Sequence, residues 1–236
     1  MGEKWIDAIF AGRQEEITPH IKAKLLNSYK NGNIEEMTHE DLESLVDDIN
    51  FFSQTNIPVE NICSRFDNYI PENASQRRLA KVATGFVGMP LELFGGLVIS
   101  GEPGVGKTHI SVSAAKKFMR LGLQPSYTNL SLPNKQSRLP TKKNNGVILL
   151  DDMNDLTDEC CKLFCDIITK TYTDGGKLLV TTNHNNPEHF VHQAICQGTN
   201  CNEKEMARLK DRTNKTLLPL HVEGTSHRQD SWFQDL

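Results

Sequence analysis

Eight consecutive residues near the middle of the chain have the spacing of a phosphate-binding loop. They read Gly101-Glu102-Pro103-Gly104-Val105-Gly106-Lys107-Thr108 and match G-x-x-x-x-G-K-[ST] at every fixed position. Glycines at the first and sixth positions permit backbone angles that other residues avoid, so successive N–H groups can turn toward phosphate oxygens. The pattern predicts that Lys107 reaches the β- and γ-phosphates of a nucleotide and that the Thr108 hydroxyl binds Mg²⁺. A glycine-rich turn between a strand and a helix is the alternative.

Two acidic residues end an apolar run further along the chain. Residues 147–150 read Val-Ile-Leu-Leu and are followed directly by Asp151 and Asp152. The apolar run predicts a central strand, and ligands bind at the carboxyl ends of strands in open α/β sheets. We expect Asp151 to hold Mg²⁺ together with Thr108, and Asp152 to polarise a water molecule for attack on the γ-phosphate.

A third apolar run, residues 178–180, is followed by Thr181, Thr182 and Asn183. A polar cluster at the end of a buried strand indicates a site at the same edge of the sheet. We expect Asn183 to orient the attacking water or to contact the γ-phosphate. A simple asparagine cap for a helix that begins near Pro187 is the alternative.

The segments that carry these motifs alternate between strand-like and helix-like patterns. Strand-like runs cover 97–100, 125–130, 146–151, 177–183 and 216–222, and helix-like stretches cover about 74–86, 107–121, 156–172, 187–195 and 203–212. This alternation predicts an α/β fold, in which a parallel five-stranded sheet is flanked by helices. The chain ends soon after the fifth strand, so we expect no C-terminal lid.

The first part of the chain differs in charge from the rest. The first 70 residues contain 13 acidic and 6 basic residues, whereas the remainder contains 17 acidic and 20 basic residues. Apolar residues recur at helical spacing from Ile17 to Leu26 and again after a capping-box pattern at Thr38 and Asp41. We expect a small acidic helical extension over residues 1–58 that docks a partner, and a second domain over 59–236. Helices that only pack on that second domain are the alternative.

The phosphate loop, the strand ending in Asp-Asp and the strand ending in Thr-Thr-Asn together resemble the AAA+ ATPases. Within that group the sequence is similar to the DnaC/DnaI helicase loaders and the IstB transposition helpers. Three segments carry the narrower match: GEPGVGKTHI at 101–110, RFDNY through QRRLA at 65–80, and Asp211-Arg212 followed by Ser226-His227-Arg228. The resemblance covers roughly residues 60–230 and implies that 59–236 form a DnaC-like AAA+ ATPase domain that contains the P-loop.

The resemblance also implies that a neighbouring subunit completes the ATP site. Arg212 would then neutralise charge on the γ-phosphate of the next subunit, so the protein would self-associate through its nucleotide site. Arg208 lies one helical turn earlier on the same face, and Arg228 takes the position of the loaders' final arginine, a nucleotide-sensing group. A solvated helix face that includes Arg208 and Arg212 is the alternative.

The segment 131–145 is shorter than the helical structure that the loaders use on single-stranded DNA at this point. It contains four basic residues, two prolines and no acidic residue. Such a loop can contact nucleic-acid phosphates but offers no aromatic side chain on which bases stack. Binding of single-stranded DNA and a solvated connector therefore both stay open.

The expected activity is hydrolysis of ATP to ADP and phosphate by a weak, oligomer-dependent P-loop ATPase that uses Mg²⁺. The resemblance implies a DnaC-like helicase loader or replication accessory ATPase whose N-terminal helices dock on a protein partner, with a replicative helicase favoured. The alternative is a nucleotide-gated adaptor, IstB-like or recruited to a non-replicative partner, with little turnover. A small-molecule kinase would need an acceptor pocket and a lid that the sequence does not indicate.

Six cysteines without a secretion signal favour a cytoplasmic protein with free thiols, and no apolar run is long enough for a membrane span. Cys161 and Cys165 have i, i+4 spacing that favours buried helix positions over a metal site. Cys196 and Cys201 follow several histidines, but they lack the Cys-x-x-Cys spacing that is typical of zinc sites.

Overall fold

The structure, a computed structural model, describes residues 37–91, 93, 95–131 and 146–224. The chain divides into two compact units, Met1–Ser64 and Arg65–Leu236, which are described separately. Three parts of the sequence predictions lie outside the described residues: the helical run from Ile17 to Leu26, most of the basic segment 131–145, and Arg228.

The first unit contains helix α1, His39–Gln54, and a single turn of 3-10 helix at Val59–Asn61. The predicted capping box begins α1, because the Thr38 hydroxyl accepts the Asp41 N–H at 3.2 Å and the Asp41 carboxylate accepts the Thr38 N–H at 2.9 Å. Phe51 and Phe52 are buried at the other end of the helix. The capping-box prediction is therefore confirmed.

The second unit is built on a parallel sheet, and five strands of it lie in the described residues. They are β1 Gly95–Gly101, β2 Gln124–Asn129, β3 Gly146–Asp151, β4 Lys177–Thr182 and β5 Leu217–Val222. Their order across the sheet is β2-β3-β4-β1-β5, and every pair of neighbours is parallel. The predicted α/β fold with a parallel five-stranded sheet is confirmed.

Five helices of the second unit flank this sheet in the described residues. They are α2 Ala74–Val87, α3 Lys107–Arg120, α4 Asp158–Asp174, α5 Pro187–Gly198 and α6 Glu203–Thr216. Helix α2 packs on α3, whereas α4, α5 and α6 pack on one another. The first turns are capped by side chains that accept backbone N–H groups, from Asn73 for α2, Thr157 for α4, Asn186 for α5 and Asn202 for α6.

Both faces of the sheet are apolar, which explains the uninterrupted apolar runs in the sequence. Val98, Ile148 and Val180 belong to the core shared with α4, α5 and α6, and their strand neighbours Leu97 and Leu149 are equally buried. Successive strand residues point to opposite faces, so an unbroken run covers both. Cys161 and Cys165 are buried in the same core, as their spacing predicts.

The polar motifs meet because of the strand order. Strands β3, β4 and β1 are neighbours, and Asp151, Thr182 and Gly101 stand at or next to their carboxyl ends. β5 is the last described element, so no lid helices follow the sheet in the part of the chain that the structure describes. None of the described helices is long and apolar enough to cross a membrane.

Candidate nucleotide-binding site

The loop between β1 and α3 has the backbone of an anion cradle. Gly101, Gly104 and Gly106 have φ values of 146°, 87° and 93°, which side-chain-bearing residues rarely adopt. The first helical hydrogen bond of α3 runs from the Ile110 N–H to the Gly106 carbonyl at 3.0 Å. The N–H groups of the first turn and the positive end of the helix dipole therefore point into the loop, as phosphate binding requires.

Tyr69 packs against this loop. Its hydroxyl donates to the Val105 carbonyl at 3.2 Å, and a Cβ placed on Gly106 would lie 2.5 Å from its ring. The Tyr69 ring also lies 5.4 Å from the ring of His109, centroid to centroid. Burial raises the pKa of Tyr69 to about 12. No motif in the sequence marks Tyr69 as part of the site.

Lys107 connects the loop to the end of β4. Its buried ammonium donates to the carbonyls of Gly101 at 2.7 Å and Glu102 at 2.8 Å, and to Oδ1 of Asn183 at 2.9 Å. An ammonium has three N–H donors, so these acceptors match its capacity. The structure thus brings Lys107, expected at the β- and γ-phosphates, together with Asn183, expected to orient the attacking water or to contact the γ-phosphate.

Asp151 is held by three hydroxyl groups from three different elements. Its Oδ1 accepts from Thr108 at 2.9 Å and from Thr181 at 2.6 Å, and its Oδ2 accepts from Tyr127 at 2.9 Å. Asp151 is 2% exposed. Thr108 and Asp151, the two residues expected to hold Mg²⁺, are hydrogen-bonded to each other, and the contacts from Tyr127 and Thr181 are additional to the sequence prediction.

The buried carboxylate has an electrostatic cost. Burial raises the pKa of Asp151, and hydrogen bonds from Thr181, Tyr127 and Thr108 offset only part of that shift. A raised pKa means that the ionised form is less favourable in the folded protein than in the unfolded chain, so this charge opposes folding at neutral pH. A divalent cation next to Asp151 would lower the pKa again.

Asp152 has an unusual backbone that Thr181 stabilises. Its φ of 54° lies in the left-handed region, which is uncommon for any residue other than glycine. Its N–H donates to the Thr181 hydroxyl at 2.9 Å, and its carbonyl accepts from the Asn154 N–H at 2.8 Å. The half-buried Asp152 side chain therefore starts from a backbone that β4 holds in place.

Asn154 links the residues after β3 to those after β4. Its Oδ1 accepts the N–H of Asn183 at 2.7 Å, and its carbonyl lies 3.0 Å from Nε2 of His184. Asn154 lies two residues after the Asp-Asp motif, but its hydrogen bonds to the residues after β4 are visible only in the structure. The sequence signal for Thr181 is its hydroxyl, which directly follows the aliphatic run at residues 178–180.

The two described arginine candidates lie away from this cluster. Helix α6 leads into the amino end of β5, whereas the phosphate loop follows the carboxyl end of β1, so roughly 16 Å of strand separates the two edges. Arg208 is exposed, and the Arg212 guanidinium lies 4.7 Å from the centroid of the Tyr172 ring. Nη1 of Arg212 is buried and has no hydrogen-bond partner among the described residues.

The donor set fits a magnesium nucleotide. Hydroxyl and carboxylate oxygens, here of Thr108 and Asp151, are the hard ligands that Mg²⁺ prefers. The loop supplies backbone N–H groups, and the Lys107 ammonium supplies the positive charge that phosphates require. The remaining loop residues include exposed Glu102 and Pro103 and fully buried Val105, which anchors the loop.

Solved structures of other proteins share this fold. DnaI superposes with a TM-score of 0.55 at 18% identity, over 74% of this chain and 95% of its own. The DnaC helicase loader superposes with a TM-score of 0.50 at 24% identity, over 68% of this chain and 97% of its own. The chain has the DnaC/DnaI fold. A primosome component from Streptococcus pyogenes serotype M3 shares it, with a TM-score of 0.51 at 18% identity over 74% and 94% of the two chains.

No protein-family model and no curated protein matches this sequence. The predicted resemblance to the DnaC/DnaI loaders is therefore confirmed by structural similarity, at the level of the fold. Within the DnaC/DnaI fold, this chain carries its phosphate loop after β1 and its paired aspartates at the end of β3.

Proposed function

We propose that this chain is a nucleotide-binding AAA+ protein of the helicase-loader type that hydrolyses ATP to ADP and phosphate. The observation that carries the proposal is a pair of hydrogen bonds between the start of α3 and the ends of two strands: Lys107 donates to Asn183, and Thr108 donates to Asp151. A glycine turn that only joined a strand to a helix would not need a buried lysine and a buried aspartate beside it.

Each residue of the site would have a role set by its position. Lys107 and the loop N–H groups would bind the β- and γ-phosphates, while Thr108 and Asp151 would hold Mg²⁺. When bound, Mg²⁺ would neutralise charge on the phosphate oxygens. Asp152 would polarise the attacking water, and Asn183, which already contacts Lys107, would orient that water or the γ-phosphate.

Nucleotide affinity should depend on Lys107. Lys107→Ala removes the buried cation of the loop, so we expect ATP affinity measured by calorimetry to fall at least about tenfold, or about 1.4 kcal/mol. Lys117→Ala is the matched control, because it removes an exposed lysine from the same helix. Equal ATP affinity in the Lys107→Ala variant and the wild type would refute the nucleotide site.

Substitutions of the two aspartates should have different effects on ATP binding and hydrolysis. Asp152→Asn keeps the size of the side chain but removes its charge, so we expect the variant to bind ATP and to lose hydrolysis. Asp151→Asn should instead weaken the Mg²⁺-dependent part of binding, because Asp151 contacts Thr108. Phosphate release and calorimetry with and without Mg²⁺ measure both. Normal hydrolysis by both variants would mean that the end of β3 is only structural.

The partner proposal concerns residues 1–58. We propose that this acidic region docks a protein, with a replicative helicase favoured because the fold is that of the DnaC helicase loader. The second candidate is a nucleotide-gated adaptor for a non-replicative partner, and the short segment between β2 and β3 favours it. Capture with the full-length protein, with and without ATP, discriminates: a helicase supports the loader, whereas a transposase supports the adaptor.

A further inference from the structure

The turn between α5 and α6 brings two cysteine thiols together. The Sγ atoms of Cys196 and Cys201 are 2.9 Å apart, and neither is in a disulfide. A disulfide has an S–S length of about 2.05 Å, so the two sulfur atoms need to approach by only about 0.9 Å. Cys201 is exposed and Cys196 is half-buried, so a small oxidant can reach the pair.

The way in which α5 ends explains the pairing. The Cys201 N–H donates to the Cys196 carbonyl at 2.8 Å, and the Asn200 N–H donates to the Gln197 carbonyl at 3.0 Å. These are the two hydrogen bonds of a Schellman motif, and Asn200 and Cys201 both have left-handed backbones, with φ values of 49° and 56°. The motif commonly places two apolar side chains in contact, at the positions that Cys196 and Cys201 occupy here. The backbone therefore sets the distance between the thiols.

The cysteines of α4 differ in their surroundings. Cys160, Cys161 and Cys165 are buried, and burial raises the pKa of Cys161 to about 11 and of Cys165 to about 12. Buried thiols of this kind have no access to a soluble oxidant. Cys63 is buried in the other unit. Oxidation should therefore be selective for the pair in the turn.

We propose that Cys196 and Cys201 form a reversible intramolecular disulfide when the protein meets hydrogen peroxide. One thiolate attacks an oxygen of the peroxide, the O–O bond breaks, and the departing hydroxide takes up a proton, so that a sulfenic acid and a first water form. The second thiol then attacks that sulfur, the S–S bond forms, and the S–O bond breaks to release a second water. Two electrons pass from the thiols to the peroxide, and a dithiol reductant reverses the reaction.

The disulfide would restrict the motion of the turn that precedes α6. It would close a ring over residues 196–201, directly before Asn202, whose side chain caps α6 by accepting the Glu205 N–H at 3.1 Å. Gly198 inside that ring lies against α4, since a Cβ there would be 2.6 Å from Sγ of Cys165. We therefore expect slower amide hydrogen exchange at the start of α6 in the oxidised protein.

Tryptic digestion separates the proposed cysteine pair from the other cysteines, so peptide masses can test for the disulfide. Trypsin releases residues 178–204 as one peptide, which contains Cys196 and Cys201 and no other cysteine. The full-length protein is reduced, freed of reductant and treated with hydrogen peroxide, then alkylated in denaturant and digested. A mildly alkaline buffer is used, because the hydrogen bond with Cys196 raises the pKa of Cys201.

We expect peptide 178–204 to lose two hydrogen atoms and to take up no alkyl group, and to take up two after treatment with dithiothreitol. Two alkyl groups without that treatment, a sulfonic acid, or linkage to a peptide from α4 would overturn the proposal. Cys201→Ser is the control, in which the loss of two hydrogen atoms must disappear. These readouts do not involve nucleotide, so the proposal stands or fails independently of the proposed ATPase.

The role of the turn is tested at Asn200. Asn200→Gly keeps the left-handed conformation accessible, whereas Asn200→Val disfavours it because a β-branched residue is strained at positive φ. We expect disulfide formation in the Gly variant to match the wild type, and formation in the Val variant to be about tenfold slower. Equal rates in the two variants would show that the turn does not place the thiols.

Discussion

At the scale of single residues, Thr181 joins the two aspartates of the candidate site. Its hydroxyl donates to the Asp151 carboxylate at 2.6 Å and accepts the Asp152 N–H at 2.9 Å, and the side chain is fully buried. One oxygen atom thus holds the proposed Mg²⁺ ligand and supports the left-handed backbone of the residue that would polarise water. A methyl group in its place would leave the Asp152 N–H without this acceptor.

Thr181→Val tests whether the hydroxyl of Thr181 matters apart from the space that its side chain fills in the core. Valine has the same shape, so the core stays filled, but the lost hydrogen bonds should lower the free energy of unfolding by about 1–3 kcal/mol. We expect the turnover rate to fall more than ATP affinity, because the displaced group is Asp152. Thr181→Ser keeps the hydroxyl and should restore turnover. Wild-type turnover in the valine variant would contradict the assignment, and denaturant unfolding with single-turnover kinetics measures both quantities.

At the scale of elements, the phosphate loop depends on its support by Tyr69. Gly106 combines a φ of 93° with a position 2.5 Å from the ring, measured from a Cβ built on the glycine. Gly122, in the turn after α3, has the same φ of 93°, but nothing lies within 4 Å of a Cβ built there. The two glycines therefore share a backbone conformation that would strain any other residue, and they differ in their surroundings.

Gly106→Ala should abolish nucleotide binding, whereas Gly122→Ala should only lower stability. The left-handed conformation costs roughly 1–2 kcal/mol for an alanine at either position, but only at Gly106 must the loop also move away from Tyr69. Adding Tyr69→Ala to Gly106→Ala removes the ring and should recover part of the affinity. Calorimetry and thermal unfolding provide the measurements. Similar ATP affinities for the two glycine variants would argue against a loop shaped for phosphate.

At the scale of the whole molecule, the candidate site and Arg212 face opposite edges of the sheet. The phosphate loop follows the carboxyl end of β1, and α6 precedes the amino end of β5. Arg212 lies on α6 close to the amino end of β5, so the phosphate loop of its own chain is at the opposite edge of the sheet. We therefore propose that a second copy of this chain completes the site.

Arg212→Ala should remove the concentration dependence of the ATPase. A shared arginine of this kind contributes roughly 10³–10⁵-fold to the rate, so wild-type activity should rise more steeply than linearly with protein concentration. Lys215→Ala is the control, because it removes an exposed cation of the same helix that pairs with Asp211 at 2.8 Å. ATP affinity should stay near that of the wild type in both variants.

Mixing variants gives the sharper version of this test. Arg212→Ala lacks the proposed arginine and Asp152→Asn lacks the water-activating carboxylate, so mixed interfaces should recover part of the activity. Linear activity in the wild type, together with no recovery on mixing, would place Arg212 in a structural role, in which its stacking on Tyr172 only fixes α6.

Much of this architecture could be predicted from the sequence because its signals are local. The three central strands β1, β3 and β4 contain apolar runs, and the glycine spacing of the loop restricts the backbone within eight residues. The strand order could not be read from any one segment. Even so, the motif set at Gly101, Asp151 and Asn183 predicted that their strands meet, because ligands bind at the carboxyl ends of parallel strands.

The sequence by itself determined the fold class and the residues that line the candidate site, since both follow from short-range patterns of apolar, glycine and acidic residues. Only the tertiary structure decided which side chains support them. Thr181 reaches Asp151 from β4 and Tyr127 reaches it from β2, across distances in sequence that no local pattern encodes. The pairing of Cys196 with Cys201 likewise depends on the left-handed Asn200, because a continued helix would have separated the thiols.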